Sequence, residues 1–249
     1  MFNFIGTLYV FKACDLPNST VKRVVLTSSI AAIYDLVHTR NTLLNESDWP
    51  DTKYQAAYEK SKTLAEKAAW DFVSERKNNN EPCFELAVIN PGLVFGPILI
   101  DSDGTSVSVL KQFLERSIPM LPDSSYGTCD VRQVALAHIK AMVIPEAVNN
   151  RHIIVSSTTS SSFKDYGLIL AEEFDPKGYN VPTKVACHCL IKMMALTDKT
   201  AALIVPGLGK KINFDNRRMR EVLKIEPMPV KQSLIDMANS LIQQGKIKK

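Results

Sequence analysis

The chain has 249 residues, of which 45% are hydrophobic and 22% charged, with a formal net charge of +4. A chain of that length buries a core that needs no disulfide or metal staple, and its composition excludes disordered, collagen-like and coiled-coil classes. So small a charge, with its basic residues scattered, argues against a nucleic-acid partner.

In chain order, the apolar start MFNFIGTLYVFKAC has no basic leader and no small-residue cleavage site, so it reads as a helix over residues 6–14 and not as a signal peptide. A turn, DLPNST, leads into VKRVVLTSS, a β-branched run that ends in hydroxyl residues and predicts a buried strand. A loop rich in Asn, Asp and Pro follows over residues 38–51, then an amphipathic helix over 54–77, full of Ala, Glu and Lys. FELAVINPGLVFGP predicts a second strand, stopping at Pro91-Gly92, and its unbroken apolar run fits a parallel sheet covered on both faces. Helices are expected over 106–116 and 131–147, a third strand in RHIIVSS, and a helix after Ser162, whose hydroxyl is placed to cap it. A helical region over 185–201 and a last helix over 230–244 complete a C-terminal part that is mostly helical.

Smaller features narrow the setting. Five cysteines without a CxxC pair imply a reducing compartment, and the cytoplasm is the expected location. Cys187-His188-Cys189 has no second ligand pair at finger-like spacing and reads as structural, not as a metal site. The apolar stretch over 185–205 is interrupted by Lys192, Asp198 and Lys199, so no membrane span is expected. His38, His138, His152 and His188 are dispersed and join no nucleophile, and the terminal KIKK reads as a solvated tail.

The chemistry is expected at strand ends, because ligands of an open parallel α/β sheet bind outside the carboxyl ends of its strands. Two such ends are Thr27, Ser28 and Ser29, and Asn90, Pro91 and Gly92. Between them, on the helix AAYEKSKTLAEKAAW, Tyr58 and Lys62 stand four residues apart and so share a face. A tyrosine hydroxyl titrates near ~10 and moves protons poorly at neutral pH unless a nearby cation favours its phenolate. Lys62 is placed to supply that charge, and Ser29 to hydrogen-bond a substrate oxygen within reach of Tyr58. YxxxK by itself occurs by chance in many helices. The order of hydroxyl-ended strand, YxxxK helix and PG-ended strand is far more specific.

With TSS, YxxxK and NPGLVFGP, and with NFIGTLYVFKAC, LNESDWPD, DVRQVALAHIKAM and GYNVPTK around them, the chain resembles the extended short-chain dehydrogenase/reductase family along nearly its whole length. The likeness is to its NAD-dependent epimerase/dehydratase or dihydroflavonol reductase-like branch. It implies an α/β fold with a partial Rossmann-type parallel sheet and a smaller, mostly helical C-terminal substrate-binding region. Residues 1–100 would be the C-terminal half of the dinucleotide-binding domain, and 101–249 the substrate-binding region interleaved with the last sheet strands. Ser29, Tyr58 and Lys62 would be catalytic, with Tyr58 the proton donor. Thr27, Ser28, Tyr58, Lys62, Pro91, Gly92, Leu93 and Val94 would face the cofactor, NADP or alternatively NAD. The substrate would be a small carbonyl compound or the matching alcohol. Sugar-nucleotide epimerase or dehydratase chemistry, 3β-hydroxysteroid oxidation, and a non-catalytic interaction role remain open alternatives.

The sequence departs from the family pattern in two places. No glycine-rich pyrophosphate turn is present, Gly6 being the only glycine before Gly92, and its first strands are missing too. The strand ending at Ser29 is therefore expected to lack a neighbour and to expose an apolar edge. Gln133 stands in DVRQVA where an acidic residue is usual, which predicts a weakened contact between its helix and the active-site loop.

Overall fold

The structure, a computed structural model, describes residues 2–37, 43–100 and 104–247. Residues 38–42, and with them His38 and the first part of the expected loop, lie outside the described residues, as do the last two lysines of the tail. In order along the chain are α1 (Phe2–Cys14), β1 (Arg23–Thr27), β2 (Leu43–Leu44), α2 (Ala57–Asn78), β3 (Glu85–Pro91), β4 (Leu93–Phe95) and α3 (Thr105–Leu114). There follow β5 (Ser125–Tyr126), β6 (Thr128–Asp130), α4 (Val131–Val143), β7 (Arg151–Ile154), β8 (Ser161–Ser162) and α5 (Phe163–Phe174). The chain continues through α6 (His188–Met194), α7 (Lys199–Ile204), β9 (Asn213–Phe214), α8 (Arg217–Glu221) and α9 (Val230–Gln243).

The main sheet is parallel, in the order β1-β3-β7, with Thr27 opposite Ile89 and Pro91 opposite Ile154. Side chains alternate across it, as the two-residue period of a strand requires. Leu86 and Val88 of β3 point into a cluster with Phe11 of α1 and Ala69 and Val73 of α2, joined by Val24 and Leu26 of β1. Ala87 and Ile89 point the other way, toward Ala137 and Ala141 of α4, with Val25 of β1 beside them. Both sheet faces are thus covered, which is why β3 reads as an unbroken apolar run. A separate cluster joins α3, α5 and α9 through Phe113, Tyr166, Leu170, Leu234 and Leu241. Among the described residues β1 pairs on one side only, so the sheet has the open edge expected of it.

Several elements differ from expectation for identifiable reasons. β3 stops at Pro91 as expected, but beyond Gly92 a further strand, Leu93–Phe95, leaves the main sheet and pairs with β6. The helix expected from residue 54 begins at Ala57. Asp51 caps a separate 3-10 turn at Thr52–Tyr54, and Gln55 is extended. α4 stops at Val143 because Pro145 opens a 3-10 turn, where it cannot supply the helix with an amide proton. The region over 185–201 holds two short helices. After α6 the amides of Leu196, Thr197 and Asp198 turn back onto Met193 and Met194, and the Thr197 hydroxyl competes for the Met194 carbonyl. Gln133 closes a capping box with Asp130, accepts from Ser156 Oγ at 3.3 Å and donates to the Glu226 carbonyl at 2.5 Å.

Candidate active site

β1 delivers Ser28 and Ser29 to the end of the sheet, and the alternation of its side chains decides what each does. Arg23 and Thr27 face α4, where Thr27 Oγ1 lies 2.6 Å from His138 Nε2. Ser28 faces α2, where its hydroxyl donates to Glu66 Oε2 at 2.5 Å and is buried. Ser29 is extended and caps the 3-10 turn Ile30–Ala32, its Oγ accepting from the Ala31 amide at 3.1 Å. Pro91, buried, ends β3 beside Ile154.

The start of α2 is tied to the same turn. Gln55 Nε2 donates to the Ala31 carbonyl at 2.8 Å and the Tyr34 carbonyl at 3.0 Å, and Asn90 Nδ2 donates to the Ser29 carbonyl at 3.1 Å. Tyr58 follows in the first turn of α2 and is 59% exposed. Lys62 stands one turn further on and is partly buried, and loss of solvent holds its ammonium pKa below the ordinary lysine value. Tyr58, Gly92, Leu93 and Val94 open onto one pocket of about 600 Å³, walled on its far side by Val107 and Met237. A Cβ on Gly92 would lie 2.3 Å from the Gly127 carbonyl, so only glycine lets β4 leave β3 at this angle. The structure therefore brings Tyr58 and three of the expected cofactor-facing residues together, and commits the Thr27 and Ser28 hydroxyls to His138 and Glu66.

Behind these groups lies a buried polar hub that the sequence reading did not single out. Glu66, fully buried, accepts from Arg151 Nε at 2.6 Å and Asn90 Nδ2 at 2.7 Å as well as from Ser28, while Trp70 Nε1 approaches at 3.3 Å. The Arg151 guanidinium also donates to the carbonyls of Ala32, Glu46 and Asp48 and lies 3.8 Å from the centre of the Trp49 ring. One carboxylate thus fastens α2 to the ends of β1 and β3 and to the start of β7. Two local signals pointed to it: a glutamate on the face of α2 shared with Ala65, Ala69 and Val73, and an arginine opening an apolar strand.

Cys187 and Cys189 are exposed at the start of α6 with their sulfurs 2.7 Å apart, and His188 pairs with Asp123 at 2.8 Å. Among the described residues no helix is long and apolar enough to cross a membrane.

Comparison with known proteins places this geometry among reductases. The model of the 3-beta hydroxysteroid dehydrogenase/isomerase family matches residues 1–182. An NADPH-dependent methylglyoxal reductase of Saccharomyces cerevisiae is 29% identical over 92% of this chain and 66% of its own length. A cinnamoyl-CoA reductase of Petunia hybrida is 33% identical over 97% of this chain and 65% of its own. The chain spans about two thirds of the length of these curated relatives. Among solved structures, the yeast methylglyoxal/isovaleraldehyde reductase complexed with NADPH superposes with a TM-score of 0.75 at 26% identity, covering 98% of this chain and 71% of that one. Vestitone reductase from alfalfa, at 18% identity, shares the fold with a TM-score of 0.71, covering 98% of this chain and 72% of that one.

Proposed function

The chain belongs to the 3-beta hydroxysteroid dehydrogenase/isomerase family of extended short-chain dehydrogenase/reductases, and from that membership we propose that it serves NADPH-dependent reduction of a small aldehyde or ketone, or the reverse oxidation. The observation that carries the reading is the exposed Tyr58 hydroxyl at the mouth of the pocket it shares with Gly92, Leu93 and Val94, one helical turn from Lys62. Ser29, on a turn tied to both α2 and β3, orients the carbonyl oxygen. Tyr58 gives that oxygen its proton. Lys62, short of solvent on the same helix face, favours the phenolate left behind, which takes its proton back from water.

The pocket fits the nicotinamide end of the dinucleotide. It is largely apolar, and 600 Å³ lies within the range of small-molecule sites, roughly 300–1,000 Å³. Lys62 would hold the ribose hydroxyls, and Pro91, Gly92, Leu93 and Val94 would wall the ring. When bound, the dinucleotide supplies the hydride. No stretch of this sequence carries a glycine-rich turn for the pyrophosphate, so the fit covers that end alone. In this reading residues 1–100 carry the cofactor-facing wall and 101–249 the substrate region, and NADPH is preferred to NADH because the relatives named for a nicotinamide cofactor are named for NADPH.

The test is NADPH oxidation, followed by absorbance, with a panel of short aldehydes and ketones, for the wild type and Tyr58→Phe. Removing the proton donor is expected to lower kcat by about 10²–10⁴-fold while NADPH binding persists. Equal turnover by Tyr58→Phe would refute the assignment. The open edge of β1 favours a second reading, a non-catalytic protein that docks a partner there. A protein with no calorimetric response to NADPH would support that reading instead.

A further inference from the structure

Beside the residues assigned to proton transfer lies a second, much smaller cavity. Ile30 and Glu59, the residues that follow Ser29 and Tyr58, both line it, with Tyr34, Ser124, Ile212 and Phe214 among the other wall residues. Its volume is about 60 Å³. That equals roughly two water molecules at ~30 Å³ each, whereas a cavity that takes a benzene ring measures about 150 Å³. Size alone therefore separates a short aliphatic group from an aromatic one.

The polar side chains on the wall are those of Tyr34, Glu59, Ser124, Ser125, Tyr126 and Lys210. Glu59 Oε2 is buried without a hydrogen-bond partner, while Ser124, only 3% exposed, pairs with the Tyr126 phenol. The ammonium of Lys210, also on the wall, is committed to the Leu36 carbonyl. Burial, with the Glu59 charge second, raises the Tyr34 phenol pKa, so Tyr34 stays neutral. Buried polar atoms in native proteins rarely go unpaired, and a carboxylate oxygen only accepts. The cavity thus presents an unmet acceptor on a wall of mixed polarity.

We propose that this cavity takes the short, hydroxyl-bearing end of the carbonyl substrate, with Glu59 accepting the hydroxyl's hydrogen bond, and that it excludes aromatic acyl groups. The inference rests on the reductase reading and deepens it. Of the substrates named for the relatives, the slot has the size for a short aliphatic carbonyl compound and not for a cinnamoyl ring. The carbonyl carbon stays outside the slot, toward Ser29 and Tyr58, and the neighbouring hydroxymethyl group enters it.

Ligand-observed NMR titration of the protein with hydroxyacetone, butanone and benzaldehyde tests this without requiring turnover. Hydroxyacetone and butanone differ only in a hydroxyl replacing a methyl. The expected result is hydroxyacetone binding about tenfold tighter than butanone, the equivalent of the roughly 1.5 kcal/mol that a hydrogen bond to a charged acceptor contributes. Glu59→Ala should abolish that preference, and Glu59→Gln, which keeps an accepting oxygen, should retain most of it. Thermal melts of both variants check that they fold. If benzaldehyde or butanone binds the wild type as tightly as hydroxyacetone, or if Glu59→Ala keeps the preference, the proposal falls. NADPH turnover separates the two levels: aromatic aldehydes reduced in preference to hydroxyacetone overturn the cavity assignment and leave the reductase reading standing. Hydroxyl-selective binding without any turnover supports the cavity assignment and counts against the reductase.

Discussion

Removing the Glu66 carboxylate should destabilise the fold more than any surface change, and the hub around it allows the size to be worked out. The Glu66 side chain is fully buried and that of Arg151 is 6% exposed, with Oε1 and Nε 2.6 Å apart. Glu66→Leu leaves the guanidinium buried without its counter-charge and strands the donors of Ser28 and Asn90. Breaking one partner of a buried ion pair costs about 3–5 kcal/mol, a large share of the roughly 5–15 kcal/mol that holds a domain folded. At roughly 2–4 °C per kcal/mol for a chain of this size, the melting temperature should fall by about 6–20 °C. Glu66→Gln keeps an acceptor for Ser28 and should lose less. Adding Arg151→Met to Glu66→Leu should recover part of the loss by removing the unpaired charge, though the carbonyls of Ala32, Glu46 and Asp48 then lose their donor. Circular-dichroism melts of these variants and of Arg151→Met alone give the coupling. A Glu66→Leu protein within about 1 kcal/mol of the wild type would refute the view that this pair clamps the strand ends, since that is the scale of an ordinary substitution.

Two further outcomes follow from other parts of the structure. His152 is fully buried, and loss of solvent lowers its pKa from 6.5 to about 4. The unfolded chain takes up this proton first, so the stability that neutral His152 confers is complete above about pH 6.5 and declines as pH falls to about 4. The loss is on the order of 3 kcal/mol. Urea denaturation at a series of pH values should show that slope, and His152→Gln should flatten it; an unchanged slope would mean other groups set it. The second outcome concerns the open edge of β1, which is flanked by exposed apolar side chains, Tyr9 and Val10 on α1 and Ile139 and Val143 on α4. The 249-residue chain is expected to self-associate, and the pair Tyr9→Glu and Ile139→Lys to reduce this in sedimentation velocity. A wild type that sediments as a monomer at all concentrations tested would count against an adhesive edge.

Much of the site was legible in the sequence because it is written in local patterns. The β-branched run ending at Ser29, the four-residue spacing of Tyr58 and Lys62, and the apolar run ending at Pro91-Gly92 each follow from one element's own periodicity and breakers. The capping role of Ser162 was legible for the same reason, since its partner, the Asp165 amide, is three residues away. Where the reading missed, the cause was non-local. LVF was given no strand of its own until its pairing with β6 was known, and Gln133 looked like a lost acid until the Glu226 carbonyl was seen beside it.

By itself, then, the sequence determined which residues form the parallel strands and which helix carries Tyr58 and Lys62. Only the tertiary structure decided that Ser28 and Thr27 point to opposite faces, that Glu66 meets Arg151 across 85 residues of chain, and that Glu59 lines a cavity of about 60 Å³. The physical reason is range. Periodicity and capping are settled within a turn or two of backbone, whereas burial, charge pairing and cavity size exist only once distant segments have packed together.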